Sequence, residues 1–446
     1  METDRVPMGA NRSFSIAAVL AFSLASGHLS AQSTNKTTRH RKVAEADSSP
    51  AVQLTQAETA IEKKDYASAE PLLKKVTAGD PNNYLAWFDL GFVYSALGKT
   101  DDSVAAYRKS VAAKPDIFES NLSLGLILAK TGQPDAEQFL RTATKLKPSA
   151  HVEEGQARAW LSLAKVLEKT KPDEAIEAYH QASALQPKDP EPHLSAGLLL
   201  EKQDRTADAE QEYKQVLTLD PSGADALAGL ANIYMRAQRY SEAEDVLRKL
   251  LAVRPNDAGA HMQLGRVLAI AGHNEEAIGE LQTALKLAPD DADVQRDLAE
   301  LFVTADKFDA AELQYRSLVN AKPKDAELHA RLGQTLMKQH KFPEAQQELL
   351  AALQLKPDFG DAYDNLAIAA NENKNYELAI KALEARSKFV PENSGTYFLR
   401  ATTYDHLRDY KRAAENYHKF LEVAEGRFPD QEWQARHRLI AIEPKK

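Results

Sequence analysis

The sequence predicts an all-α chain in which pairs of helices stack one after another, and two observations carry this prediction. First, prolines recur with a period close to 34 residues, at positions 81, 115, 148, 187, 221, 255, 289, 323, 357 and 391. Second, the stretches between them are amphipathic and rich in alanine, leucine, glutamate and lysine, which are strong helix formers. A fixed period of this length is typical of repeat proteins, in which neighbouring units supply each other's core.

Each period contains two helical stretches separated by a short polar turn, as at Gly272 to Asn274. Proline cannot continue a helix and biases its predecessor away from helical geometry, so the prolines mark the turns between pairs. Small residues also recur. Glycine or alanine stands at 91, 125, 164, 197, 231, 265, 299, 333, 367 and 401, and alanine at 136, 175, 209, 243, 277, 311, 345, 379 and 413. We expect the two helices of a pair to cross at these positions.

These residues resemble the tetratricopeptide repeat (TPR), whose 34-residue pattern has a tryptophan, a Leu-Gly pair, a tyrosine and a final proline. One copy consists of Trp87, Leu90, Gly91, Tyr94, Ser103, Tyr107, Ser110 and Pro115. Eleven units begin near residues 50, 84, 118, 157, 190, 224, 258, 292, 326, 360 and 394. The resemblance implies a right-handed α-solenoid, a superhelix of about eleven helix-turn-helix units over residues 50–427. A capping helix and tail are expected over residues 428–446, where Trp433, Leu439 and Ile440 stand among charged residues.

Two departures from the repeat are expected to affect packing. An insertion within 149–156 separates the third and fourth units, and we expect it to loosen or redirect the superhelix. Arg386 occupies a position where the family prefers a small residue, which puts the packing of the tenth pair in doubt.

The N-terminus indicates export. Arg5 and Arg12 precede an apolar run from Phe14 to Leu24, and Ala31 offers a cleavage site, as in a secretory signal peptide. The run is too short for a spanning helix, and no later stretch is apolar enough to cross a membrane. We therefore expect a signal peptide over residues 1–31 and an exported, periplasmic or secreted protein; an uncleaved anchor or a disordered tail is the alternative.

Residues 32–49 are predicted to be a flexible linker. It contains a basic run, Arg39 to Lys42, which either attracts an anionic surface or is simply solvated.

Composition and motifs argue against an enzyme and against nucleic-acid binding. The formal net charge of −9 opposes contact with phosphate backbones, and the absence of cysteine excludes thiolate chemistry. Neither a glycine-rich phosphate loop nor a His-Glu-x-x-His string is present. His193, His261 and His329 share one repeat position, but they lie in alternate units and are expected to pack rather than to meet at one metal ion. No cofactor, metal or catalytic residue is predicted.

The resemblance places a binding groove along the first helix of each unit, at the second, fifth and ninth residues. The early units offer apolar residues there, namely Phe88, Phe92, Leu122, Leu126, Leu194 and Leu198. Later units offer Asn232, Arg266 and Arg296. The alternative is that the apolar set packs between units. The lysine of chaperone-binding relatives is missing, since Ala228 stands beside Asn232. The asparagine ladder of sugar-transferring relatives is missing too, since its positions hold Asp89, Ser123, Ser162, Ser195, Gly229, Gln263 and Asp297.

These observations favour a non-enzymatic scaffold of the bacterial cell envelope that holds a protein or peptide partner in the groove. The acidity of the chain favours a basic amphipathic partner, because complementary charge speeds encounter. A structural subunit of an envelope secretion, pilus or polysaccharide-export assembly is the alternative. The sequence leaves the partner's identity and the oligomeric state open.

Overall fold

A computed structural model describes residues 49–443, so the predicted signal peptide and most of the predicted linker lie outside the described residues. The described chain consists of helices and connecting turns, with no strand between residues 49 and 443. The helices are α1 Pro50–Glu62, α2 Tyr66–Gly79, α3 Tyr84–Ala96, α4 Thr100–Ala113, α5 Phe118–Lys130, α6 Ala136–Lys145, α7 Val152–Leu167, α8 Pro172–Leu185, α9 Glu191–Lys202, α10 Thr206–Leu219, α11 Ala224–Arg236, α12 Tyr240–Val253, α13 Ala258–Ile270, α14 Asn274–Leu287, α15 Ala292–Thr304, α16 Phe308–Ala321, α17 Ala326–Lys338, α18 Phe342–Leu355, α19 Gly360–Glu372, α20 Tyr376–Arg386, α21 Ser394–His406, α22 Tyr410–Ala424 and α23 Pro429–Ile442.

These helices form eleven pairs, α1 with α2 through α21 with α22, and α23 follows as a single helix. The predicted all-α chain of stacked helix pairs is therefore confirmed. None of the helices between residues 49 and 443 is both long and apolar enough to cross a membrane. The chain divides into two compact bodies within α11: the first body ends at Gly229, and the second begins at Leu230.

The predicted crossings are confirmed in both bodies. In the first body, a Cβ atom added to Gly91 would stand 2.7–2.9 Å from ring atoms of Tyr107 on the partner helix. In the second body, a Cβ atom on Gly333 would stand 2.7 Å from Cγ of Leu349. The alanine of the second helix is equally enclosed, since Ala277 has no exposed surface. Small residues are thus required because a large side chain of the second helix lies against the backbone of the first.

The turn inside ten of the pairs places one residue in the left-handed region, with φ between 56° and 74° in nine of them and 80° in the other. These residues are Lys64, Gly98, Gly132, Asp204, Gln238, Gly272, Asp306, His340, Lys374 and Arg408. Only three are glycine, although a side chain there costs roughly 1–2 kcal/mol. The packing of the two helices therefore sets the shape of this turn, and the turn residue adapts to it.

The turns between pairs share a contact that the sequence pattern did not reveal. In six units the fourth residue of the first helix contacts the carbonyl oxygen of the proline six residues earlier, at 2.9–3.1 Å. The residues are Trp87, Asn121, His261, Gln295, His329 and Tyr363. All carry a side-chain donor, and the proline carbonyls near the end of a helix otherwise lack an intrahelical partner. The position therefore selects a hydrogen-bond donor rather than an aromatic ring.

The three histidines of this position also pair with the second helix of their own unit. Nδ1 of His193 lies 2.6 Å from Glu212, and Nδ1 of His329 lies 2.7 Å from Glu348. His261 makes the same contact with Glu280. Because these ring nitrogens already face carboxylates within the unit, the histidines serve the packing of helix pairs.

The extra residues at 149–156 do not form a loop of their own. Residues 152–156 become the first turns of α7, which reaches 16 residues, while α6 before it is shortened to 10. The connection is fixed by Ser149, whose backbone N–H and hydroxyl both donate to Glu119, at 2.8 and 2.6 Å. The irregularity is therefore a shift of helix length from one helix to the next.

Arg386 does not disrupt the tenth pair, because the second body builds a charged cluster around it. Its side chain is 2% exposed, forms an ion pair with Asp364 and donates from Nη1 to the carbonyl of Pro391 at 2.9 Å. Glu392 lies between Arg386 and Arg400 and pairs with the latter. The arginine ends α20 after 11 residues and stabilises the turn that follows it.

The last helix, α23, packs on the eleventh pair through one side only. Ala435 and Leu439 are buried against α21 and α22, and Arg438 pairs with Asp405 of α21. Trp433 and Ile440 remain 61% and 71% exposed. The face of α23 turned away from the eleventh pair therefore carries apolar as well as polar side chains.

Candidate binding surface on the first helices

The first helices of consecutive pairs lie side by side, α1 beside α3 and α5 beside α7 in the first body, and α13 beside α15 and α17 beside α19 in the second. We call the residues at positions five, six and nine of each unit, counted from its first residue, the first-helix row. In the unit that begins at residue 84 these are Phe88, Asp89 and Phe92. All nine predicted groove residues belong to this row.

Phe88 and Phe92 contribute to the core of the first body as well as to the row. Both are half-buried and pack against a cluster that includes Val104, Tyr107 and Leu124. The ring of Phe88 lies 5.7 Å from that of Tyr107 on α4. Phe92 meets Tyr66 of α2 edge to face at 5.9 Å. These two side chains therefore connect three consecutive helix pairs, and only part of each faces outward.

The four leucines of the row differ in how much surface they offer. Leu122 is buried, with 8% exposed, and Leu126 and Leu194 are partly buried. Leu198 on α9 is 43% exposed. Among these apolar residues of the first body, the accessible surface lies at Leu198, Leu126 and the outer edges of the two phenylalanines.

In the second body the row is polar, and its side chains bond to one another. Asn232 is exposed and accepts a hydrogen bond from Gln263 at 3.0 Å. Arg266 forms an ion pair with Asp297. Arg296 pairs within its own helix, with Asp293 at 3.4 Å. At these positions the row is apolar in the first body and polar in the second, and which of them contact a partner stays a prediction.

Tyrosines of the second helices hold two carboxylates at the ends of first helices in the first body. The hydroxyl of Tyr179 donates to Glu168 at 2.6 Å, and that of Tyr213 donates to Glu201 at 2.7 Å. Burial, together with the nearby carboxylate, raises the pKa of each tyrosine well above its usual value. These phenols remain neutral donors and fix the carboxylates in place.

Asp89 is the residue of the row that the sequence prediction missed. Its Oδ2 atom is buried and has no hydrogen-bond partner. Burial raises the pKa of Asp89 to about 7, and the charge of Glu58 on α1 adds to the shift. A signal was present in the sequence, because an acid stands here at a position that holds serine or glycine in the next four units.

No group of three or more metal-ligating side chains occurs in the part of the chain that the structure describes. The row therefore offers hydrophobic contact, hydrogen bonds and carboxyl groups, and Oδ2 of one of these, Asp89, is buried without a hydrogen-bond partner. This chemistry suits a polypeptide.

Three family models match the chain. The one described as "Cilia and flagella-associated protein 70 C-terminal domain", a TPR model, covers residues 17–297. Two described as "Tetratricopeptide repeat" cover residues 268–334 and 330–394. The chain belongs to the tetratricopeptide-repeat family. TPR units form the fold of protein-binding scaffolds, and the eleven pairs described above have that fold.

Curated relatives share only part of this TPR array. DnaJ homolog subfamily C member 3 of Mus musculus is 31% identical over 105 residues, which is 23% of this chain and 20% of that protein. Tetratricopeptide repeat protein 37 of Xenopus laevis is 37% identical over 87 residues, which is 20% of this chain and 6% of that protein. The chain thus spans a fifth or less of the length of these relatives.

Solved TPR structures also match the chain. YrrB, titled a TPR protein with an unusual peptide-binding site, is 25% identical with a TM-score of 0.40, covering 42% of this chain and 96% of that one. Cut9–Hcn1 of the APC/C is 15% identical with a TM-score of 0.37, covering 88% of this chain and 98% of that one.

Proposed function

We propose that this chain is a non-enzymatic scaffold that holds a peptide or helix of a partner protein along the first-helix row of the first body. The observation that carries the proposal is the apolar row from Phe88 to Leu198, because it keeps hydrophobic surface accessible where neighbouring first helices lie side by side. Exposed apolar surface of this kind is typical of interaction sites.

The partner is expected to bind mainly through the less buried members of the row. Phe88 and Phe92 hold helix pairs together, so replacing them would change stability and binding at once. Leu198 is 43% exposed and can be replaced with little effect on the core. Leu219, on the second helix of the same pair, is 37% exposed and provides a matched control outside the row.

The test compares three proteins in the native host: wild type, Leu198→Ser and Leu219→Ser, each tagged at the C-terminus and cross-linked in cells. We expect at least one partner protein to be recovered with wild type and Leu219→Ser but reduced roughly tenfold with Leu198→Ser, as for a central interface residue. If every recovered protein is retained equally by both variants, the row is not the binding surface. Equal thermal melting of the variants shows that folding is not the cause.

The cellular setting is also part of the proposal: the protein is exported and acts in the bacterial cell envelope. The signal-like sequence ending at Ala31 supports this. N-terminal sequencing of the protein from its native host should begin near Gln32. A protein that retains Met1 or Met8 in a cytoplasmic fraction would contradict export. A single soluble partner supports the scaffold, whereas a stable membrane complex supports a structural subunit of an envelope assembly.

A further inference from the structure

Neighbouring first helices contact each other through a recurring pair of positions. Position nine of one unit faces position six of the next, 31 residues later in the chain. In the second body, Asn232 and Gln263 occupy this pair and are hydrogen-bonded at 3.0 Å. In the next unit, Arg266 and Asp297 occupy it and form an ion pair. In both of these pairs, one side chain satisfies the other.

Glu58 and Asp89 occupy the same pair of positions in the first body, 31 residues apart, and both are acids. Glu58 lies on α1 and Asp89 on α3. Oδ2 of Asp89 is buried without a hydrogen-bond partner, unlike the carboxylate of Asp297, which has Arg266. A buried carboxylate without a partner is unfavourable, so this pair is incomplete in the protein by itself.

The charged and titratable groups that act on Asp89 do not compensate it. Glu58 faces it from α1 and repels its charge. Tyr107 faces it from α4, but the Tyr107 hydroxyl bonds to Ser123 of α5. Burial and then the neighbouring Glu62 raise the pKa of Glu58 itself. Among the described residues, neither a lysine nor an arginine forms an ion pair with Glu58, Glu62 or Asp89.

We propose that Asp89 and Glu58 form a recognition site for one lysine or arginine side chain of the bound protein segment. This cation would take the place beside Asp89 that Arg266 occupies beside Asp297. The inference rests on the proposed function and names the chemistry of the partner: an apolar segment that carries a basic residue.

The surroundings of Asp89 favour an organic cation over a metal ion. Phe88 and Phe92 belong to the same row as Asp89, with Phe92 about one helical turn beyond it in α3, so aromatic rings line the row on which the cation would bind. Aromatic rings accept the aliphatic stem of lysine or arginine and attract its charge. A calcium ion needs six to eight oxygen ligands, and the side chains around Asp89 supply mainly two carboxylates. A lysine or arginine would also offset the repulsion between the two acids and donate a hydrogen bond to the unpartnered oxygen.

The direct experiment is selection of peptides from a random dodecapeptide phage library on four full-length proteins: wild type, Asp89→Asn, Glu58→Arg and the control Asp116→Asn. Asp116 is an exposed acid of the same body, in the turn before α5. Asp89→Asn removes the charge while keeping the shape. Glu58→Arg builds an internal copy of the Arg266–Asp297 pair and should occupy Asp89 permanently.

We expect wild type and Asp116→Asn to enrich peptides that combine apolar residues with one lysine or arginine, and both other variants to lose this preference for a basic residue. Synthetic peptides from the wild-type pool should bind Asp89→Asn roughly tenfold or more weakly, as when one partner of a buried charge pair is removed. Changing the basic residue of such a peptide to glutamine should cause a similar loss on wild type and almost none on Asp89→Asn.

The outcomes separate this inference from the proposed function. Apolar peptides enriched without a basic residue, or a basic preference that survives in Asp89→Asn, would overturn the cation site while leaving the scaffold proposal standing. No enrichment by any of the four proteins would contradict both. Circular dichroism melts of the four proteins show whether each is folded.

Discussion

The two bodies use the same pair of row positions in opposite ways. Two such pairs of the second body are complete, since Arg266 neutralises Asp297 and Gln263 bonds to Asn232. In the first body Glu58 stands opposite Asp89, and the buried carboxyl oxygen of Asp89 has no partner. The repeat architecture is the same in both, so the difference lies in the row and not in the packing. We infer that the second body's charges serve its own stability and that the first body's charge is left for a partner.

The largest expected effect concerns the buried arginine of the second body. Arg386→Met should destabilise the protein by about 3–5 kcal/mol, because it leaves Asp364 without its cation and Glu392 with Arg400 alone. Urea unfolding measures this difference. Arg412→Met, at an arginine whose side chain is 56% exposed, is the matched control and should cost far less, because water screens its charge. Similar losses for the two variants would mean that the charged cluster does not stabilise the second body.

Asp89→Asn should stabilise the protein instead, and the gain in the free energy of unfolding should depend on pH. The pKa of Asp89 is raised from 3.8 to about 7 in the folded protein, so the folded state holds this proton more tightly than the unfolded state. Wild-type stability therefore falls as pH rises from about 4 to 7, by up to roughly 4 kcal/mol at about 1.4 kcal/mol per pH unit. The Asp89→Asn variant should not lose this stability, because it has no carboxyl group at position 89.

We expect Asp89→Asn to match wild type near pH 4 and to be more stable at pH 8, as measured by urea melts at both values. Asp116→Asn should follow wild type at both. A variant that is less stable than wild type at pH 8 would mean that the Asp89 carboxylate is well compensated in the free protein.

Overpacking a helix crossing should destabilise the protein equally in the two bodies. Ala209→Leu in the first body and Ala277→Leu in the second fill crossings with no exposed surface, and each should cost roughly 1–3 kcal/mol. Lys286→Leu, an exposed change on the same helix as Ala277, should alter stability by about 0.5 kcal/mol or less. If a crossing variant is as stable as Lys286→Leu, the crossing positions have been assigned in the wrong register for that body.

The smallest effect on stability is expected at the Arg266–Asp297 pair. Arg266→Gln breaks the ion pair with Asp297, but the two side chains are 38% and 25% exposed, and water screens their charges. The loss should be below about 1 kcal/mol in urea melts. The larger effect should be on specificity, because Asp297 then lacks a cation as Asp89 does. A peptide selection on Arg266→Gln that gains no preference for basic residues would show that the flanking aromatic rings of the first body are also needed.

Local and periodic features of the fold could be predicted from the sequence. The prolines located every turn between pairs, and the small residues at 91 and 277 located the crossings, because both depend on a repeated steric requirement. Contacts between units were harder to predict. Arg386 looked like a packing fault, since its partners Asp364 and Glu392 come from another helix and from a turn.

The candidate site was predictable in part for the same reason. Phe88 through Leu198 could be placed in one row from helical spacing, but their exposed fractions depend on neighbouring units, and Leu122 is buried where Leu198 is open. Asp89 was missed because it stands out only when it is considered together with Glu58, 31 residues earlier, and when that pair is compared with the Arg266–Asp297 pair of the other body. A single position in one repeat does not reveal this; the comparison of equivalent pairs does.

The most direct test of an incomplete pair in the first body is the pKa of the Asp89 carboxyl group, measured by 13C NMR with labelled aspartate and assigned with Asp89→Asn. We predict titration near pH 7 in the free protein and a fall below the ordinary range of aspartate when a selected basic peptide is bound. The same peptide with glutamine in place of its basic residue should leave the pKa high. An ordinary pKa in the free protein, or a pKa that the basic peptide does not lower, would contradict the proposal that a partner's cation completes this pair.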